Sequence, residues 1–373
     1  MNMMSLSNHE IVDRKFRRIA DSRFPIVSIT VLVYAATLGE QTPIVIALIA
    51  VLLFYTLLLG IKTFDALILI VFTIIFFILS GRFSLSLIFP MIAITVAMKQ
   101  LSIATLDYIS ATFLAGSIVL LKVFFDLDDI IYLDRNHIGL MILLLALMEP
   151  TGNNKLIGLI KISSVILALA LLSRTYILFV CLFVLMLTFK ERKFFNTKVG
   201  ELYPIVFLIA TTLFSLYLVT AIDLDIFVST VGNESARIIE ITDASNLARI
   251  NAFLSFLDNV IRSPISLLYP ATIENYQDIN GEIPTPHNTL LAIIFNYGTI
   301  LSILYLLYVG NIFKRLRLKS LFFLAFTPYY LLLGGVLFGP ALILFCIAGR
   351  GLSGMSNQIR HPSGDCHEDV LTR

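Results

Sequence analysis

Twelve apolar runs, separated by short polar stretches, occupy most of this 373-residue chain. They fall at 25–39, 44–61, 66–80, 83–98, 108–125, 138–149, 156–172, 175–189, 203–221, 289–310, 320–334 and 338–349. So much hydrocarbon leaves too few polar side chains to cover a water-soluble surface. In a bilayer only helices and closed barrels satisfy every backbone polar group, and a helix needs roughly 20 apolar residues to cross. The runs predict an all-α polytopic membrane protein of about 12 transmembrane helices with one large outer loop. Composition agrees: 58% of residues are apolar and 14% charged, against about 45–50% apolar in soluble domains. Residues 320–349 read either as one tilted helix or as a hairpin; Gly334-Gly335 and Gly339-Pro340 favour a break.

Charge placement orients the chain better than the net +2 does. The basic clusters are the N-terminal arm (Arg14, Lys15, Arg17, Arg18, Arg23), the loop Lys190-Glu191-Arg192-Lys193 with Lys198, and Lys314 to Lys319. Twelve alternating spans put all three on one side, with Lys62, Lys99, Lys155 and Arg350. By the positive-inside rule that side is the cytoplasm and holds both termini. The expected organisation is a cytoplasmic arm (1–24), nine spans (25–221), a large outer loop (222–288), three spans (289–349) and a cytoplasmic tail (350–373). The first run has no small-residue cleavage site after it and reads as a retained signal anchor. Cys181 and Cys346 fall in apolar runs and Cys366 in the tail, so no disulfide is expected. No basic patch is large enough to suggest a nucleic-acid partner.

The outer loop differs in kind. It carries nine acids and three bases, Arg237, Arg249 and Arg262. Leu247, Ile250, Phe253, Leu254, Leu257 and Ile261 recur in it at helical spacing, predicting an amphipathic helix that ends before Pro264. Such a helix either lies on the membrane surface or packs over the bundle.

Few chemistry-bearing residues face outward. Of five histidines, only His137 and His287 do. His287 lies in Pro284-Thr285-Pro286-His287-Asn288-Thr289, where flanking prolines restrict the backbone and an apolar run follows at once. It reads either as a positioned acid/base group at the membrane edge or as an incidental member of a helix-capping turn. Arg174, in Ser173-Arg174-Thr175, has almost no loop to hold it in water. It must snorkel, pair with an acid, or bind an anion in a cavity. Arg135 has Asp134 as a local partner, Arg262 has Asp258 four residues earlier, and Arg249 flanks the apolar stripe of the loop helix. The tail residues His361, Cys366 and His367 are too loosely spaced for a metal site. Phosphate-loop, dinucleotide and zinc spacings are absent from the sequence, so neither a metal nor a cofactor is expected.

Three segments resemble the O-antigen polymerase and O-antigen ligase superfamily of bacterial inner membranes. Pro284-Thr285-Pro286-His287-Asn288-Thr289-Leu290-Leu291, with Phe295-Asn296-Tyr297-Gly298, is similar to the family's P-H-N segment at the end of its large periplasmic loop. Leu172-Ser173-Arg174-Thr175 is similar to its S-R-[GT] between two spans. Arg249 to Pro264 is similar to its stretch entering the loop, although Ser263-Pro264-Ile265-Ser266-Leu267-Leu268 lacks the family's glycines. A fourth match is Arg135-Asn136-His137-Ile138-Gly139-Leu140. The resemblance covers roughly residues 130–310.

The resemblance implies a multi-pass protein of the bacterial inner membrane, both termini cytoplasmic. It implies a metal-independent, inverting glycosyltransferase that polymerises undecaprenyl-diphosphate-linked oligosaccharide repeat units into O-antigen or capsule-like polysaccharide. Arg174 and Arg249 would hold the diphosphate, His287 would take the proton of the acceptor hydroxyl, and Asn288, Arg135 and Ser173 would support them. Membrane lipid, a chain-length regulator and a repeat-unit flippase are the implied partners. Two alternatives stay open: a ligase that transfers polymer to lipid A–core, and a flippase for lipid-linked oligosaccharide. A flippase needs charges midway along its helices and rarely a large outer loop, whereas Lys122 and Lys161 are placed near span ends.

Overall fold

The computed structural model describes residues 24–38, 42–99, 103–125, 135–150, 154–171, 173–188, 197–221, 256, 260–270, 288–333, 337 and 339–358. These form helices α1 (Ile26–Leu38), α2 (Thr42–Leu59), α3 (Thr63–Ser80), α4 (Phe89–Lys99), α5 (Thr105–Phe125), α6 (Arg135–Ala146), α7 (Asn154–Leu169) and α8 (Arg174–Thr188). They continue with α9 (Tyr203–Ala221), α10 (Thr289–Leu316), α11 (Ser320–Ala325), α12 (Thr327–Leu332) and α13 (Pro340–Gln358). Short 3-10 turns cover Leu85–Ile88 and Pro264–Leu268. The described chain is all-α, and each of the apolar runs contains helix. The stretch 320–349 is broken, with α12 ending before Leu333 and α13 starting at Pro340.

Three helices, α3, α5 and α10, are long and apolar enough to cross a membrane. Hydroxyls on these and neighbouring helices bond back to the chain. Thr73 donates to the Leu69 carbonyl at 2.8 Å and Thr112 to the Tyr108 carbonyl at 2.8 Å, one turn back. Thr30, Thr37, Thr56 and Ser80 do the same in α1 to α3. On α3, Phe64, Leu67, Ile70, Ile74, Phe77 and Ile78 face outward and exposed. An apolar exterior of this extent suits hydrocarbon and not water.

The centre is made of helices that are apolar all round. α4 is buried from Phe89 to Ala97, α6 from Ile138 to Leu145, and α13 from Ala341 to Ala348. α13 packs on α4, α1 and α6, and α10 packs on α9, α4 and α3. Phe322, Phe323 and Phe326 of α11 and its C-terminal boundary pack around Phe345 of α13.

One end of the bundle collects basic residues. Val199 N–H donates to the Leu318 carbonyl at 2.8 Å and Ser320 N–H to the Thr197 carbonyl at 2.9 Å, so Lys198 and Lys319 lie side by side. Lys314 meets Glu201 at 2.7 Å, and the Arg350 guanidinium donates to the Ala97 carbonyl, two residues before Lys99. Asp65 receives both Arg315 nitrogens, at 2.7 and 3.1 Å, and the Tyr308 hydroxyl at 3.0 Å. Asp107 caps α1 by accepting Val27 N–H and Ser28 N–H, both at 2.9 Å.

Two sequence expectations change. Lys161 sits midway along α7 rather than near a span end, and reaches the Glu149 carboxylate at 3.1 Å. The run that begins at residue 289 is not one straight span. Gly298, at φ 74° and ψ 163°, interrupts α10. Ser302 Oγ donates to the Ile293 carbonyl at 3.0 Å, yet nine residues of straight helix would separate them by about 13.5 Å along the axis. The Tyr297 and Tyr305 rings are likewise only 5.1 Å apart. The helix therefore folds back at Gly298, giving a short arm (289–297) and a long arm (299–316).

Candidate functional site

The end opposite the basic one holds the starts of α6 and α8. Ser173 is the N-cap of α8. Its hydroxyl accepts Tyr176 N–H at 3.2 Å and donates to the Asn136 side-chain carbonyl at 2.8 Å. One buried hydroxyl thus fixes both the start of α8 and its position beside the start of α6. Arg174 is the first residue of α8 and Arg135 the first of α6. Arg135 is exposed. His137 Nδ1 shares a hydrogen bond of 2.8 Å with the Tyr34 hydroxyl of α1. Arg249 and His287 lie outside the described residues, as does the side chain of Arg174. So do Asp134 and Asp258, the acids read as partners of Arg135 and Arg262. The loop helix over 247–261 also lies outside them except for Phe256, which is buried, and 260–262, which are helical.

Asn288 immediately follows His287 and is the N-cap of α10. Its Oδ1 accepts Leu290 N–H at 3.0 Å, Leu291 N–H at 3.3 Å and the Thr212 hydroxyl at 2.9 Å. Thr289 donates to the Leu333 carbonyl at 2.8 Å. Thr212 is the tenth of the 19 residues of α9, and Asn288 is only 4% exposed. The start of this helix is therefore buried against the body of α9.

Two hydrogen bonds hold the bend of α10. Thr299 Oγ1 donates to the Leu267 carbonyl at 2.7 Å, and the Tyr297 hydroxyl to Ser86 Oγ at 2.7 Å. A side chain at Gly298 would meet the backbone of Leu268 and Tyr269, the latter at 2.8 Å. The 3-10 turn at Pro264–Leu268 fits into the bend of α10 because Gly298 has no Cβ.

α12 joins the two halves. It packs on α8 at one flank and on α9 and α10 at the other. Gly139 of α6 lets Tyr176 and the Tyr329 hydroxyl approach, since a Cβ there would lie 3.0 Å and 3.4 Å from them. Leu333, at the C-terminal end of α12, receives Thr289. The structure brings Ser173, Asn136 and the starts of α6 and α8 together, with Asn288 across α12. The starts of α6 and α8, each opening on an arginine, make a field there that favours an anion. Among the described residues no group of three or more His, Cys, Asp or Glu side chains converges.

Sequence reasoning missed Tyr34, Thr212 and the fold-back of α10. Their only sequence signals are polar residues inside apolar runs: Tyr34, Thr212, Asn296 and Ser302. No family model, no curated protein and no solved structure matches this chain.

Proposed function

We propose that the protein is a periplasmic-face glycosyltransferase of the bacterial inner membrane that polymerises undecaprenyl-diphosphate-linked repeat units. The observation that carries the reading is the joining of the helix starts at Ser173-Arg174 and Arg135-Asn136 by the Ser173–Asn136 hydrogen bond, at one end of an apolar bundle. Arg174 and Arg249 hold the donor diphosphate, as planar forks suited to phosphate oxygens. His287 takes the proton from the acceptor hydroxyl. That oxygen forms the new bond to the anomeric carbon, the carbon–phosphate oxygen bond breaks on the opposite face, and the diphosphate leaves carrying the electron pair. The anomeric centre is inverted. Arginines stabilise the growing charge without a metal.

The experiment is elongation of lipid-linked repeat units by the purified protein. His287→Ala is expected to lose about 10²–10⁴-fold in rate. Wild-type activity is expected to fall as pH drops through the range of an ordinary histidine, near about 6.5, because the base must be neutral. EDTA is expected to have no effect. Wild-type rates in His287→Ala, or arrest by EDTA, would refute the mechanism. Product attached to lipid A–core instead of lengthened lipid-linked chains would identify a ligase.

A further inference from the structure

The carboxamide of Asn288 is used on one side only. Its carbonyl oxygen takes three hydrogen bonds, from Leu290 N–H, Leu291 N–H and Thr212 Oγ1. These fix the orientation of the group, because a flip would set its amino hydrogens against two backbone donors. The amino nitrogen is then turned away from the helix backbone and has no hydrogen-bond partner, although the residue is 4% exposed. Buried donors are rarely left unpaired, and one so left is destabilising. Thr212 could have been an apolar residue and the cap would still stand. Instead its hydroxyl adds a third bond to the carbonyl and holds the amino group away from the helix backbone.

The location supplies the chemistry of the ligand. The nine-residue short arm ends inside the bundle, so its positive N-terminal pole is directed at protein interior rather than bulk water. A broken helix whose N-terminus lies within the bundle is a natural anion site, where dipole and donors act in a low dielectric. Aliphatic and aromatic helices surround it, which suits an anion carried on a lipid chain.

We infer that the amino group of Asn288, at the buried start of the short arm, donates a hydrogen bond to an anionic oxygen of a prenyl-diphosphate ligand. The anionic class follows from the helix pole and the unpaired donor. The choice of a prenyl diphosphate rests on the proposed glycosyltransferase function.

Aspartate tests this cleanly, since Asp caps helices as well as Asn does. Asn288→Asp keeps the acceptor for Leu290 and Leu291 but replaces the donor with a negative oxygen. Asn288→Ser keeps a cap and removes the donor without adding charge. Binding of farnesyl diphosphate would be measured on the full chain in nanodiscs, with the thermal midpoint recorded for each variant. Asn288→Ser is expected to weaken binding by about tenfold, the size of one hydrogen bond to a charged group. Asn288→Asp is expected to lose more, and Asn288→Ser to keep a thermal midpoint near wild type. Wild-type affinity in either variant overturns the inference, and so does a wild type that binds no farnesyl diphosphate. If Asn288→Asp does not reach the membrane, Asn288→Ser alone decides between the two outcomes. Elongation by the wild type is scored separately. An active wild type with an Asn288→Asp that binds normally sinks this inference alone, whereas Asn288-dependent binding without elongation sinks the polymerase reading alone.

Discussion

Asp65 is 1% exposed, and its carboxylate survives there because both oxygens are occupied. Arg315 meets it with two nitrogens and Tyr308 adds a third donor. The pair ties the start of α3 to the end of α10, two helices far apart in sequence. Removing one member of a buried pair leaves the other unpaired, at a cost of about 3–5 kcal/mol. The Arg315 side chain keeps one-fifth of its surface exposed, at 20%, so the low end, about 3 kcal/mol, is expected for Asp65→Asn. The measurement is the thermal midpoint in detergent. Asp65→Asn combined with Arg315→Gln should recover part of the loss, because no charge then remains buried. A double variant as unstable as the sum of the two single ones would refute the pairing as the cause. At this same scale the sequence was half readable. Ser173 lies in the sequence between two apolar runs, and it caps the second of them. Its second bond, to Asn136, joins helices that sequence spacing cannot bring together.

At the scale of elements, the helices were legible because an apolar run that must hide its own backbone has one solution in lipid. What a run's composition does not encode is its path. Residues 289–310 have the hydropathy of a straight span, and the fold-back depends on one residue, Gly298, at a backbone conformation that essentially only glycine adopts. The family-like stretch Phe295-Asn296-Tyr297-Gly298 contains that glycine, but only the packing of Leu268 and Tyr269 against it shows its purpose. Gly298→Ala is therefore expected to cost at least about 1–3 kcal/mol from the backbone alone. The clash with the Leu268 carbonyl adds to that. The short arm should shift, and with it the cap at Asn288. Gly158 is the control: it lies in α7 with nothing near its missing Cβ, and Gly158→Ala should be neutral or stabilising by up to about 1 kcal/mol. Equal thermal midpoints for Gly298→Ala and wild type would mean that α10 does not bend there.

For the whole molecule, the two ends differ in chemistry. One joins Lys198 to Lys319, places Lys314 and Arg315 on Glu201 and Asp65, and sends Arg350 to the carbonyl of Ala97. The other carries the helix starts of the candidate site and the part of the long loop that sits in the bend of α10. Of the basic clusters read in the sequence, the described residues include Lys198 and Lys314 to Lys319, and the positive-inside rule predicts that these share a side. The sequence did not anticipate that the loop reaches into the bundle, since a docking contact between Leu267 and Thr299 leaves no periodic mark in either segment. The same rule yields a prediction of polarity: the basic end should face the cytoplasm, and residues 222–288 should face outward. In intact cells, with Cys181, Cys346 and Cys366 replaced by alanine, a membrane-impermeant maleimide is expected to label a cysteine at Asn280. It is expected to spare one at Asn196, which should react only after the membrane is permeabilised. The opposite pattern would turn the molecule over. His287 would then face the cytoplasm, where a lipid-linked repeat unit already carried outward could not reach it, and the polymerase assignment would fall with the topology.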